Sequence, residues 1–285
     1  MYPDYINKLK GKKLVIATMH GKDTVIAPVL KQNLNVTPIV PDKFNTDSYG
    51  TFSGEIERID DPITAARRKC LDACKLTNAT SAVASEGSFG PHPTMFFVPA
   101  DDEFMIFVDT ENGIEIVARE LSLNTNFAGG SFTEWQEIEK FAGRIGFPAH
   151  KLIARKEKAD NSDLVKDISS AESLKTNFEY FLGKYGTIFL ETDMRAMSNP
   201  TRMAVIESVA NKLVKKILNP CPNCNFPGFD VTDVVEGLPC SLCGSPTRST
   251  LYHEYQCKKC GHKNKVMYPN GVQKEDPTYC DYCNP

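Results

Sequence analysis

Four Cys-x-x-Cys pairs, here called knuckles, lie within the last 65 residues of the chain. One knuckle supplies two thiolates from a tight turn, and two knuckles complete the tetrahedral set of four sulfur ligands that a structural zinc ion requires. The pattern therefore predicts two structural zinc ions held by sulfur alone. The expected ligands are Cys221, Cys224, Cys240, Cys243, Cys257, Cys260, Cys280 and Cys283.

The spacing of the knuckles leaves their pairing open. Pairing in sequence order, nested pairing and crossed pairing each give two complete sets of four ligands. The segment from Cys243 to Cys257 resembles the hairpin of a zinc ribbon, which favours the nested arrangement, with the second knuckle facing the third. The region 220–285 is therefore predicted to be a double zinc-ribbon module, in which metal binding substitutes for a large apolar core.

The surface of this module is a candidate contact for a partner. Its side chains include six Lys or Arg and seven Asp or Glu, and two zinc ions with four thiolates each bring the net charge from −1 to −5, which opposes phosphate binding. A strip from Lys258 to Lys265, near Tyr252, Tyr255 and Tyr268, has the composition of an RNA or DNA contact, and a protein partner is an equal alternative. One hypothesis is therefore a non-enzymatic zinc-ribbon adaptor.

Two loops of the longer N-terminal part combine glycine with groups that bind charged ligands. Thr18 and Lys22 lie in a loop that follows an apolar run and opens a helix, where free backbone N–H groups can hold a phosphate. Glu86 directly follows another apolar run, at the carboxyl end of a strand, where α/β sheets place their ligands. Ser88 and His92 belong to the same Gly- and Pro-rich turn, and they are predicted to contact a substrate.

Two further segments offer carboxylates for a metal. Glu55 and Glu57 point to one side if their loop is extended, and paired carboxylates of this kind hold Mg²⁺. In the loop that joins the last predicted strand to the last predicted helix, Asp193 is a candidate metal-binding or catalytic carboxylate. Arg195 and Arg202, from the same segment, are candidate clamps for phosphates.

The elements that must position these residues alternate between strand and helix patterns. This order predicts an α/β fold with a mixed, mostly parallel sheet flanked by helices. Asn199 is a natural N-cap for a helix that starts at Pro200, and apolar residues spaced three and four apart continue its stripe to Ile217. The knuckles begin directly after this helix. We therefore expect one domain over residues 1–219 and a small zinc-ribbon-like module over residues 220–285.

The composition limits the remaining classes of protein. Apolar residues make up 41% and charged residues 24% of the 285 residues, which is an ordinary globular balance. No apolar run approaches the roughly 18 residues that span a bilayer, the N-terminus lacks a signal-peptide pattern, and a net charge of −3 gives no general attraction to nucleic acid. Together with thiols that need a reducing compartment, these features predict a cytoplasmic protein without membrane contact, and they leave its oligomeric state open.

Three segments of the chain resemble an uncharacterised bacterial family, a domain of unknown function that ends in cysteine pairs of this kind. The segments are Thr51–Arg58, Ser85–Pro93 and Asn199–Arg202. This resemblance extends over essentially the whole chain, and it implies no activity.

Four short motifs resemble those of the inosine/xanthosine triphosphate pyrophosphatases. The first motif is an Ala-Thr pair at positions 17 and 18 with a lysine at position 22, and the second is a small-x-x-Lys-small pattern at 66–70. The third is an acidic residue followed by glycine at 86–87, and the fourth is an Arg-Ala pair at 195–196. The likeness covers roughly residues 13–120 and the region of Arg195. The chain departs from that family at 64–65, where Thr-Ala replaces the usual Glu-Asn, and at Glu86, where many members have two carboxylates.

This resemblance implies Mg²⁺-dependent cleavage of a nucleoside triphosphate into a monophosphate and pyrophosphate. The implied site residues are Lys22, Lys69 and Arg195 for the phosphates, and Glu86, helped by Glu55 or Asp193, for Mg²⁺ and for orienting a water. The leading hypothesis is therefore a Mg²⁺-dependent nucleotide phosphohydrolase that carries a structural zinc module.

Overall fold

The computed structural model describes residues 5–42, 44–50 and 60–285. In these ranges the chain forms six α-helices and twelve strands. The helices are α1 (Tyr5–Leu9), α2 (Asp23–Leu34), α3 (Pro62–Thr77), α4 (Trp135–Ile145), α5 (Ala171–Tyr185) and α6 (Pro200–Ile217). The strands are β1 (Lys13–Ile16), β2 (Thr37–Ile39), β3 (Ser81–Pro91), β4 (Pro99–Asp109), β5 (Ile114–Ser122), β6 (Gly129–Phe132), β7 (Leu152–Arg155), β8 (Leu164–Ile168), β9 (Ile188–Thr192), β10 (Asp230–Glu236), β11 (Thr250–Gln256) and β12 (Lys263–Met267).

Two compact units divide the chain. The α/β unit covers Lys10–Val214, and the cysteine-rich unit joins α1 to Lys215–Pro285. This division falls within α6 rather than at the expected boundary of residue 219, and it assigns α1 to the cysteine-rich unit. In that unit, Tyr5 and Ile217 line a cavity of about 230 Å³ together with Pro220 and Pro227, so α1 lies beside the first knuckle.

The first sheet of the α/β unit has the strand order β2-β1-β3-β4-β5. Its β1 strand is parallel to both neighbours, whereas β3, β4 and β5 form an antiparallel series. The strands β3 and β4 are eleven residues long and pair from end to end, with Ser81 opposite Asp109 and Pro91 opposite Pro99. Their length carries the second half of β3 and the first half of β4 beyond the end of β1.

Helix α3 covers one face of this sheet. It begins after Asp61, whose carboxylate accepts hydrogen bonds from the amides of Ile63 and Thr64 at 3.0 and 3.1 Å. Its buried face packs on β1, β3 and β4 through a small-residue stripe that includes Ala66, Cys70, Ala73 and Cys74. Lys69 lies three residues after Ala66 on this buried face, and its side chain is therefore directed toward the sheet.

The second sheet of the α/β unit has the order β6-β9-β7-β8, and every pair in it is antiparallel. Helices α4 and α5 contribute most of the apolar core that covers it. The core residues are Ile138, Phe141, Ala142, Ile145, Leu152, Ala154, Ile168, Leu174, Phe178, Phe181, Ile188 and Leu190.

The α/β class and the mixed sheet are confirmed, but the expected predominance of parallel pairs is wrong. Among the described strands, only the β1–β2 and β1–β3 pairs are parallel. The cause in the second sheet is β8, a strand that the sequence patterns did not indicate. Strand β8 reverses the chain after β7, and α5 then leads the chain into β9, which runs antiparallel to β7. Without β8, α5 would be a crossover between parallel strands.

The cysteine-rich unit is built on a three-stranded antiparallel meander, β10-β11-β12. One strand lies between each pair of successive knuckles. Successive knuckles therefore alternate between the two ends of the meander, the first and third at one end and the second and fourth at the other.

Candidate metal centres and a buried charge cluster

Every knuckle has the same backbone turn. The amide of the residue after the second cysteine donates a hydrogen bond to the carbonyl oxygen of the first cysteine, and the four N···O distances lie between 2.8 and 3.0 Å. In three knuckles that residue has a positive φ, with 57° at Asn225, 75° at Gly244 and 71° at Gly261. Asparagine and glycine are the residues that adopt this conformation most easily. The turn directs both thiols of a knuckle to one side.

The four knuckles form two sets of four cysteines, and within each set the Sγ atoms lie within 4.8 Å of one another. The first set joins Cys221 and Cys224 to Cys257 and Cys260, and the second joins Cys240 and Cys243 to Cys280 and Cys283. The pairing is thus crossed, and the nested pairing that the sequence favours is wrong. The meander explains the result, because its strands place alternate knuckles at the same end.

The sulfur positions in both sets fit a tetrahedral zinc site. The Sγ–Sγ distances between facing knuckles range from 3.6 Å, for Cys224 and Cys257, to 3.9 Å, for Cys240 and Cys283. A Zn–S bond of about 2.3 Å in a tetrahedron sets this distance at about 3.8 Å, whereas a disulfide requires about 2.05 Å. Amide hydrogens also point at sulfur, as from Leu242 to Cys240 at 3.4 Å. Each set can therefore hold one zinc ion with all four positions filled by protein.

The α/β unit contains a second concentration of functional groups near the end of β1. Lys22, from the loop after β1, donates hydrogen bonds from Nζ to the carbonyl oxygen and Oγ of Ser85, at 2.9 and 3.1 Å. Lys69 of α3 forms a buried ion pair with Glu86, the next residue of β3. Three residues that the sequence singled out, Lys22, Lys69 and Glu86, are thus brought to one place.

A second buried ion pair lies on the adjoining part of β3 and β4. Arg202, in the first turn of α6, donates from Nε to Oε1 of Glu103 at 2.6 Å and from Nη1 to the carbonyl oxygen of Met194. Gly87 stands opposite Glu103, and a Cβ at this position would overlap Oε1 of Glu103. The absence of a side chain at Gly87 therefore makes room for the ion pair.

Asp101 completes this group of six residues, here called the charge cluster. The cluster comprises Lys22, Lys69, Glu86, Asp101, Glu103 and Arg202. Burial, followed by the negative charge of Glu103, raises the pKa of Asp101 from 3.8 to about 8. Burial, followed by the positive charge of Arg202, lowers the pKa of Lys22 from 10.5 to about 8. Burial is the largest cause of both shifts, and charges from both faces of β3 also contribute, because Glu86 and the Gly87 that stands opposite Glu103 are adjacent in the strand.

A cavity of about 270 Å³ borders the same region. It is lined by Thr18, Met19, Val40, Pro41, Phe44 and Asn45. The ring of Phe44 lies 6.2 Å from that of Tyr49, and the Nζ of Lys69 lies 5.5 Å from the centre of the Tyr49 ring. These two rings connect the cavity, and with it Thr18, to Lys69 of the charge cluster.

Asp193 and Arg195 form a separate pair beside the cluster. Asp193 is fully buried, and both of its carboxylate oxygens accept hydrogen bonds from Arg195, which also contacts Asp167 at 2.9 Å. The connection to the cluster runs through the main chain, because Arg202 donates to the carbonyl oxygen of Met194. The structure thus gives the predicted catalytic carboxylate Asp193 an arginine partner.

Ser88, His92 and Glu55 are the remaining predicted residues. Ser88 lies two residues after Glu86 on the same face of β3, and it is exposed. His92 lies in the turn between β3 and β4, where its Nδ1 contacts the amides of Thr94 and Met95 at 3.3 Å. That turn is at the far end of β3 from Glu86, about 20 Å away at 3.3 Å per residue. Glu55 lies outside the described residues.

Sequence reasoning missed Asp101 and Glu103. A usable signal was present, because acidic residues two apart in a strand share one face. Glu55 and Glu57 have the same spacing, whereas Asp101 and Glu103 precede the apolar run Phe104–Val108 by which the sequence predicts this strand. Arg202 was noted as a phosphate clamp, and the structure instead places it in an ion pair with Glu103.

The fold and these sites define a protein with an α/β unit that contains a buried charge cluster, and a module with two four-cysteine sets that can each hold a metal ion. Residues 69–285 match a domain of unknown function, DUF6671, and the chain belongs to that family. The match includes all eight knuckle cysteines and every charge-cluster residue except Lys22. No curated protein matches the chain, and the comparisons supply no support for the resemblance to inosine/xanthosine triphosphate pyrophosphatases. None of the described helices is long and apolar enough to cross a membrane.

Proposed function

We propose that the α/β unit is a divalent-cation-dependent hydrolase that cleaves a nucleoside triphosphate into a monophosphate and pyrophosphate. The observation that carries this proposal is the convergence of Lys22, Lys69 and Glu86 beside a partly apolar cavity. In this proposal the cysteine-rich unit is structural, because each of its metal centres has four sulfur ligands. Zinc-bound thiolates require a reducing compartment, for which we propose the cytoplasm.

The chemistry of phosphate transfer suits such a cluster. Catalysis of this reaction depends mainly on positioning and on positive charge around the phosphates, which lysines supply. In the proposed reaction a water attacks the α-phosphorus, the bond from that phosphorus to the bridging oxygen breaks, and pyrophosphate leaves with that oxygen. Glu86 accepts the proton of the water as Lys69 turns from Glu86 to the phosphates. The cavity beside Phe44 offers apolar contacts to the base.

The test is pyrophosphate release from a panel of nucleoside triphosphates with Mg²⁺. We expect Glu86→Gln to lower kcat/KM at least 100-fold, because glutamine keeps the shape of the side chain and cannot accept the proton. The matched control is Glu111→Gln, which removes the charge of a glutamate in an exposed ion pair with Lys12. Wild-type protein that cleaves no triphosphate in the panel and shows no rise in melting temperature with any of them would overturn the proposal.

The second candidate function is a zinc-ribbon adaptor for nucleic acid or a protein. Its support is the surface around β11 and β12, where the Nζ of Lys265 lies 4.4 Å from the ring centre of Tyr252. The charges favour it less, since Lys263 pairs with Glu254 at 2.6 Å and the module is acidic overall. Salt-dependent binding of single-stranded RNA by the full chain, lost in a Lys258→Glu/Lys259→Glu variant, would support this function.

A further inference from the structure

Strand β4 presents two buried carboxylates to one face of the first sheet. Asp101 and Glu103 are two residues apart, opposite Phe89 and Gly87 of β3, so they share a face. Their exposed fractions are 1% and 0%. Both carboxylate oxygens of Asp101 and the Oε2 of Glu103 accept no hydrogen bond from any residue that the structure describes. Three buried acceptor atoms therefore lie at one site without a donor.

Such an arrangement is unfavourable unless something satisfies these oxygens. A buried carboxylate loses its hydration, and buried polar atoms in folded proteins almost always have partners. The nearby cations do not reach these three oxygens. Arg202 donates from Nε to the other oxygen of Glu103, and its buried Nη2 donates to none of the three. Lys22 donates to Ser85. The three oxygens are thus available to a ligand that carries positive charge.

The carboxylates that the sequence suggested for Mg²⁺ already have protein partners. Glu86 pairs with Lys69, and Asp193 pairs with Arg195. Neither offers both oxygens to a metal without first breaking a buried ion pair, which is energetically costly. Glu103 is paired as well, but only through Oε1. The described part of the α/β unit therefore favours Asp101, both of whose oxygens lack a donor, with Oε2 of Glu103 as the second ligand of a cation.

The surroundings hold Glu103 in a fixed orientation. Arg202 contacts its Oε1 at 2.6 Å, which directs Oε2 away from the ion pair. Gly87 keeps the facing position of β3 free of a side chain, and the guanidinium of Arg202 lies 5.0 Å from the ring centre of Phe89. Contacts of this kind orient metal ligands in known sites.

We propose that Asp101 and Glu103 bind one hard divalent cation, Mg²⁺ or Mn²⁺, through these three oxygens. Such ions are typically held by one or two carboxylates, and waters and substrate phosphates fill the other positions. The phosphate ligand rests on the proposed function, whereas binding of the cation itself requires no substrate. The site differs in class from the cysteine centres, because oxygen ligands select Mg²⁺ and Mn²⁺ and thiolates select zinc.

The test is a titration of the full-length, zinc-loaded protein with Mn²⁺, without nucleotide, in which free Mn²⁺ is measured by electron paramagnetic resonance. We expect one Mn²⁺ per chain, and at least tenfold weaker binding in Asp101→Asn and Glu103→Gln. The matched control is Asp102→Asn, on the same strand and the opposite face, where the carboxylate pairs with Arg119 at 2.7 Å. This variant should bind Mn²⁺ as the wild type does.

Thermal unfolding shows whether each variant is folded. If Glu103→Gln unfolds because Arg202 loses its partner, Asp101→Asn decides the test, since Asp101 has no hydrogen-bond partner to lose among the described residues. Wild-type protein that binds no Mn²⁺, or Asp101→Asn protein that binds it equally well, overturns the inference. If the wild type binds Mn²⁺ but cleaves no nucleotide, only the proposed function is overturned. If the Asp101→Asn variant still cleaves nucleotide and binds Mn²⁺ with unchanged affinity, only this site is overturned.

Discussion

Lys22 and Asp101 show what burial does to single charged groups in the α/β unit. Burial and neighbouring charges move the pKa of each group to about 8, from opposite directions. Each group is therefore close to the midpoint of its titration under mildly alkaline conditions. Groups with shifts of this kind concentrate at functional sites, because they change charge readily when a charged ligand arrives.

Lys22→Met removes the ammonium group and keeps most of the apolar stem. Because the folded-state pKa of Lys22 is about 8 and its ordinary value is 10.5, the unfolded chain binds more protons than the folded chain between these values. The stability of the wild type relative to Lys22→Met therefore rises with pH, by about 2 kcal/mol from about pH 7.5 to 9.5. Urea unfolding of both proteins, without added divalent cations, measures this difference, and a difference that stays flat or falls contradicts the assigned pKa.

Part of the charge cluster was predictable from the sequence at the level of residues. Lys22 follows β1, and the parallel pairing of β1 with β3 brings the end of β1 close to Glu86. The expected place of Glu86 at the carboxyl end of a strand is wrong, because β3 continues to Pro91 and Glu86 lies in its middle. Asp101 enters the cluster for a different reason, since only the antiparallel register of β3 and β4 places it opposite Phe89. Register over eleven residues depends on tertiary pairing, which a single sequence does not specify.

At the scale of elements, the cysteines were predictable and their partners were not. Knuckle spacing predicts which residues can bind a metal ion, whereas pairing depends on the direction of the three strands between the knuckles. With one strand between each pair of successive knuckles, alternate knuckles meet and the pairing is crossed. The resemblance of one segment to a zinc-ribbon hairpin does not indicate this arrangement. The same error affected the second sheet, where β8 contains Lys166 and Asp167 and so lacks a continuous apolar pattern.

Gly87 provides a test of the close approach between β3 and β4. A Cβ at Gly87 overlaps the side chain of Glu103, so Gly87→Ala should displace Glu103 from Arg202 and lower the free energy of unfolding by about 2 kcal/mol. Gly90→Ala is the matched control, since a Cβ there meets nothing within 4 Å and lies on the same strand. Urea unfolding compares the two variants. Equal stability of the two variants would show that the Glu103–Arg202 pair tolerates a side chain on β3.

The start of α6 provides a second test at this scale. Asn199 is buried, its Oδ1 accepts the amide of Arg202 at 3.0 Å, and its Nδ2 donates to Oδ1 of Asn126 at 2.8 Å. Asn199→Ala removes both contacts and should cost about 3 kcal/mol. Ser170→Ala, at the exposed N-cap of α5, should cost only about 1 kcal/mol. Chemical denaturation measures both, and a cost at Asn199 no larger than that at Ser170 would show that the link to Asn126 adds nothing.

At the scale of the whole molecule, the two units draw their stability from different sources. The described part of the α/β unit includes two apolar clusters that helices cover. In the cysteine-rich unit every residue of β12 is exposed, and every residue of β11 is only partly buried. A meander with so small an apolar core needs its metal centres, because metal binding then supplies much of the folding free energy.

Removal of zinc should therefore unfold one unit and spare the other. We expect two zinc ions per chain and, after chelation, loss of amide hydrogen-exchange protection in β10–β12 and α1, while β3 and β4 stay protected. Because the crossed pairing separates the centres along the meander, Cys221→Ala/Cys257→Ala should keep one zinc ion at the Cys240 end. Cys74→Ala, which changes a cysteine of the α3 core, should keep both. If the double variant loses both ions, the two centres depend on each other. If β3 and β4 lose protection on chelation, the two units do not fold independently.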